Sequence, residues 1–190
     1  QLRDFPGQGQ ENTTDFGRYV AGMKGVVGKW DWESAVMYNS SKVVSKSSSG
    51  ILAEPFVKAY MDGTFLFGQT ANNAELYKRI VTDSSSNFKS EMTLWDAKVT
   101  GELFNLPAGA VSAAAGVEAR REALEINPSA LAIAGALYHT AQADPAFARS
   151  RNIASLYTEV SAPILKSLEA QFAARFDKYS DYGNSTTPKL

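Results

Sequence analysis

The chain has 190 residues, with 19 Lys and Arg against 20 Asp and Glu for a formal charge of -1, so no strong positive field exists to hold nucleic acid or anionic lipid nonspecifically. It has no cysteine and a single histidine, His139, which excludes a disulfide framework, a thiol nucleophile and a zinc site of the usual kind. No apolar stretch reaches the roughly 20 residues of a membrane helix, a test blind to spanning β-strands, whose ~10 alternating residues average to a neutral hydropathy.

Residues 1–13 are polar and glycine-rich, and Gln1-Leu2-Arg3-Asp4-Phe5 lacks a charged segment leading into an apolar one. A loop is expected here, and no signal peptide. DFGRYVAGMKGVVG (15–28) then sets Tyr19, Ala21, Met23, Gly25 and Val27 against Arg18, Gly22 and Lys24, with Val20 out of step. Period two means a strand. A short turn at Gly28-Lys29 leads to WDWESAVMYN (30–39), where Trp30, Trp32, Val36 and Tyr38 oppose Asp31, Glu33 and Asn39. A second hairpin follows in LWDAKVTGELF (94–104), a turn over Asn105–Gly109 and VSAAAGVEARRE (111–122). A third comprises ASLYTEVSAP (154–163), a turn around Ile164–Ser167 and LEAQFAARFDKY (168–179).

The intervening links are much longer. Residues 40–91 contain the serine-rich stretches 40–50 and 83–87 and a short helical candidate near 73–81; residues 123–150 contain another at 129–138, preceded by Asn127-Pro128. Both links are expected to be irregular loops. Short turns at one end of a sheet and long loops at the other are the arrangement of outer-membrane barrels.

The two faces carry different chemistry. One interleaves acids and bases, and its members Asp31, Glu33, Asp96, Lys98, Glu102, Glu118, Arg120, Glu122, Glu159, Arg175 and Asp177 are candidates to line a wet lumen. A soluble sandwich with a solvated outer face is the competing reading. Aromatics sit near the strand ends, with Trp30, Trp32 and Phe104 beside the short turns and Tyr38, Trp95, Tyr179 and Tyr182 toward the long links. They are candidates for two lipid-interface belts, against the reading that they are ordinary core residues.

WDWESAVMYN (30–39), GELFNLPAGAV (101–111) with GVEARRE (116–122), YTEVSAPILKSLE (157–169), AARFDKYSDYG (173–183) and TTPKL (186–190) together resemble the TonB-dependent outer-membrane receptors. The resemblance implies residence in a bacterial outer membrane and a barrel of about 22 antiparallel strands with a plug domain in its lumen. It further implies uptake of a scarce nutrient, such as an iron-siderophore complex, cobalamin or a carbohydrate, at the expense of energy delivered through TonB. No plug, no TonB box and no terminal strand ending in an aromatic residue are seen. Six strands are read here, whereas the smallest bacterial barrels have about eight. Residues 1–190 are therefore expected to be an internal piece of the barrel domain. Its partners are outer-membrane lipid, the plug and remaining strands, TonB through parts outside this chain, and a small nutrient ligand.

No catalytic residue, cofactor or metal is expected. His139 has no carboxylate nearby in sequence, Gly7-Gln8-Gly9 lacks the strand and helix of a phosphate cradle, and alternation accounts for the pairs Asp31 with Glu33 and Glu118 with Glu122. Arg120 is expected to be a wetted lumen position. Its neighbour Arg121 falls on the apolar face, which is costly in lipid unless the residue lies near the headgroups. Two alternatives stay open. One is a small outer-membrane barrel or β-rich binding module without transport, needing further strands that only residues 51–68 offer; the other is a soluble β-rich enzyme.

Overall fold

The computed structural model describes residues 9–68, 74–138 and 145–189; His139 and Gly7-Gln8 lie outside them. Seven strands pair in chain order into one antiparallel sheet: β1 (Gly9–Val27), β2 (Trp30–Ile51), β3 (Val81–Leu106), β4 (Gly109–Asn127), β5 (Phe147–Leu165), β6 (Leu168–Tyr179) and β7 (Gly183–Lys189). The sheet does not close into a barrel: β1 and β7 are its edges. Among the described residues, three helices interrupt it, α1 (Ala53–Met61), α2 (Ala74–Ile80) and α3 (Ala130–Ile133). Among the described residues, no helix is long and apolar enough to cross a membrane.

All six expected strands are present, most of them longer than alternation indicated, and β7 is a seventh. The turns Gly28-Lys29, Pro107-Ala108 and Lys166-Ser167 are each tighter than or equal to the expected ones. The serine-rich stretches, expected as loops, are instead the far ends of β2 and β3. A ladder needs paired backbone groups, not alternating side chains, and serine tolerates either face because its hydroxyl finds local partners. Here Gln10 Nε2 donates to Ser45 Oγ at 2.9 Å, the Gly9 N–H donates to Ser48 Oγ at 3.2 Å, and the Ser129 N–H donates to Ser86 Oγ at 3.0 Å. Ser49 takes a left-handed φ of 59°, a strained choice for a residue with a Cβ. The Asp83 carboxylate accepts its N–H at 3.1 Å and holds it there.

The chain divides into two compact units, one of residues 1–16, 41–89 and 124–148, the other of residues 17–40, 90–123 and 149–190. The first has a conventional apolar core of Ile51, Phe56, Ala59, Phe65 and Ile80. Phe56 meets Phe65 and Tyr138 edge-to-face, with ring centroids 5.4 and 4.9 Å apart, the geometry aromatic quadrupoles prefer. Helix α1 tolerates Pro55 because a first-turn N–H has no intrahelical acceptor. It ends at Asp62, where Gly63 supplies the left-handed φ of 69°. Residues 51–68 thus form a helix and turns, not two further strands. Helix α3 is shorter than the expected 129–138: Ser129 Oγ caps it by accepting the Ala132 N–H at 3.1 Å, and Gly135, at φ 63°, stops it.

Candidate functional site

The second unit consists of strand segments with two chemically distinct faces. Register on β5 and β6 is fixed by the pairs Ser155 with Asp177, Leu156 with Phe176, Tyr157 with Arg175 and Val160 with Phe172. Odd positions of β5 and β6 therefore share the charged face and even positions the apolar one.

On the charged face, six side chains from β4, β5 and β6 form one alternating series. Arg151 Nη2 is 2.7 Å from Glu122 Oε2, and Glu122 Oε1 is 3.1 Å from Arg120 Nε. Glu118 Oε1 stands 3.9 Å from Arg120 Nε and 3.5 Å from Arg175 Nη2. Arg175 Nε then donates to both Asp177 oxygens, at 2.9 and 3.1 Å, while its Nη2 donates to Ser155 Oγ at 2.9 Å. Three cations meet three anions, so the series is neutral. Glu33 pairs with Lys98 at 2.7 Å on the same face, and Lys24 and Asp31 line the same hollow as that pair. Asp31, Glu102 and Glu159 line the neighbouring hollow with Lys29, and Asp96 shares the parity of Lys98. All eleven candidate charged positions thus occupy one face. Among the described residues, no group of His, Cys, Asp and Glu is disposed to hold a metal ion.

The aromatic candidates separate. Trp30, Trp32, Tyr38 and Trp95 occupy the apolar face: Trp95 Nε1 donates to Ser34 Oγ at 3.1 Å, and the Tyr38 hydroxyl donates to Glu91 at 2.6 Å. A methyl placed on Gly25 would lie 2.9 Å from the Trp32 ring, and one on Gly101 2.6 Å from the Trp30 ring. Tyr179 instead falls on the charged face, where the Arg151 guanidinium sits 5.9 Å above its ring and Tyr182 stacks on it at 4.3 Å. Tyr182, in the turn after β6, has its phenol held above the ordinary range by hydrogen bonding with Tyr179. Phe104 shares the parity of Glu102. These three lie off the apolar face, since a place near a strand end does not fix which way a residue points.

Arg151, Ser155 and Tyr157, which complete or flank the charged series, escape the sequence reading. Arg151 lies before the expected start of β5 at Ala154, and Ser155 and Tyr157 are not among the Asp, Glu, Lys and Arg residues that mark the face. Stepping back by twos from Glu159 would have found all three. Tyr157 covers Gly116 so closely that any side chain there would meet its ring, and Arg175 lies 5.9 Å above the same ring.

Across β4, β5 and β6 the exposures of the two faces are reversed from those of a water-soluble sheet, while on β2 Asp31 and Glu33 of the charged face are exposed. Leu156 and Phe172 are 58% and 52% exposed, whereas Ser155 and Asp177 on the charged face are 6% and 8% exposed. No family model, curated protein or solved structure matches the chain.

Proposed function

We propose that this sheet is a stretch of the wall of an outer-membrane β-barrel, and that the parent protein is a transporter of the TonB-dependent receptor type. The reversal of the two faces carries the reading. A sheet in water buries its apolar face, because each Å² left exposed forgoes about 25 cal/mol. Here Tyr19, Met23, Val36, Leu156, Phe172 and Phe176 are all open. The three cations and three anions of the series across β4, β5 and β6, by contrast, are matched, as suits a polar wall wetted from inside. Three two-residue turns support the same reading, as do the longer connections that carry α1 and α2 between β2 and β3 and α3 between β4 and β5. The turn 180–182 is a short exception.

In this reading the apolar face meets outer-membrane lipid, the charged face meets the plug and the passing nutrient, and β1 and β7 pair with the remaining strands. The nutrient belongs to the scarce, impermeant class of iron-siderophore complexes, cobalamin or carbohydrates. The test is expression of the full-length protein in a Gram-negative host with and without TonB. Residence in the outer membrane, with uptake of one such nutrient only when TonB is present, is the expected result. Recovery of the protein in the soluble fraction would overturn the membrane assignment, and uptake indifferent to TonB would overturn the transporter class.

A further inference from the structure

Within the second unit, the apolar face carries three charged side chains among its described residues: Glu91, Arg121 and Lys178. Glu91 accepts the Tyr38 hydroxyl at 2.6 Å. Among the described residues, Arg121 and Lys178 have no carboxylate partner, whereas Arg120, Arg151 and Arg175 on the opposite face are all paired. The two unpaired cations line one hollow with Trp95, Ala119, Asn152 and Ala154, and Lys178 stands directly opposite Ala154 in the ladder. Among the described residues, no acid lines that hollow.

We propose that this hollow binds the phosphate of an anionic lipid; the inference rests on the membrane reading above. The Arg121 guanidinium offers a planar fork of donors and the Lys178 ammonium a point charge, the two complementary ways of holding phosphate oxygens. The alanines at 119 and 154 leave a shallow apolar floor beside the Trp95 ring. A hydrated inorganic anion gains nothing from such a floor, whereas an acyl chain below a phosphate fits it. Trp95, with its N–H engaged by Ser34 and its ring on the apolar side, has the disposition of an indole at headgroup depth. The charge on this face is thus local and directed, consistent with a chain whose net charge is only -1.

The test folds the full-length protein into phosphatidylcholine vesicles with and without a minority of phosphatidic acid, and measures the phosphatidic acid retained after detergent extraction. Wild type is expected to retain it selectively. Arg121→Gln with Lys178→Gln should lose roughly thirtyfold in that preference, the effect of two cations near a membrane surface. Lys178→Gln alone, at an exposed position, should lose about fivefold, and the charge-keeping pair Arg121→Lys with Lys178→Arg should retain it. Insertion without any preference, or a preference that survives the double substitution, would overturn the lipid site and leave the membrane reading standing. Displacement by millimolar inorganic phosphate would mark a free-anion site and overturn the lipid assignment. Failure of wild type to enter either vesicle would overturn both readings.

Discussion

Glu118 on β4 and Arg175 on β6 are two strands apart in the sheet, yet their Oε1 and Nη2 atoms are 3.5 Å apart. Arg175 reaches across Tyr157 of the intervening strand, and its other donors hold Asp177 and Ser155. One guanidinium therefore fastens three strands. Arg175→Ala should destabilise the folded full-length protein by about 2–3 kcal/mol, between the values for exposed and fully buried pairs, because buried Asp177 loses its cation and keeps the Ser155 hydroxyl. Glu118→Gln should cost about 1 kcal/mol. Refolding equilibria in bilayers measure both; equal costs would deny Arg175 its central place.

Val117 and Arg120 lie on opposite faces of β4. Val117→Arg should cost about 2–4 kcal/mol if the site is near the bilayer midplane and about 0–1 kcal/mol near an interface. Read from sequence alone, Arg120 is a wetted position whose loss is nearly free; its place between Glu118 and Glu122 changes that. Arg120→Ala should cost about 1–2 kcal/mol, since two half-shielded carboxylates lose their shared cation. The same refolding series checks it, and a cost near zero would mean that water already screens the pair.

Gly116→Ala places a methyl against the Tyr157 ring. Overpacking of this kind costs about 1–3 kcal/mol. Tyr157→Leu in the same molecule should restore most of it, and a double-substitution cycle reads the coupling. Additive costs would show that the ring yields freely.

The serine-rich ends of β2 and β3 should resist both proteolysis and amide exchange, because their backbone groups are laddered. Rapid exchange across 41–50 or 83–87, measured by mass spectrometry, would restore the loop reading for those segments.

Residues 1–190 produced alone in detergent-free buffer should aggregate, since Phe172, Phe176 and Leu156 are open on one face and the sheet has two unpaired edges. Sedimentation that finds a monodisperse monomer with a cooperative melt would point to a soluble domain instead.

The strands were legible where one face had to differ from the other. Alternation between Glu118, Arg120 and Glu122 and the small apolar residues between them located β4, and the same rule located both strands of the third hairpin. It failed where both faces are polar, as at Ser47-Ser48-Ser49, because no contrast remains for the period to reveal. Register was equally hidden: nothing in the text aligns Arg151 with Glu122, so the charged face was legible as a set of residues but not as a connected series. Strand-end aromatics were located along the chain, yet Tyr179 and Phe104 needed their parity counted from the nearest charged neighbour.

The covering of Gly25 by Trp32, Gly101 by Trp30 and Gly116 by Tyr157 binds the history of these positions as well as their packing. In each couple the ring occupies the volume that a side chain on the glycine would need. The order of change is thereby constrained: the glycine gains a substituent most readily after the ring has shrunk. Among descendants of this sequence, a side chain at 25, 101 or 116 should therefore accompany a smaller residue at 32, 30 or 157.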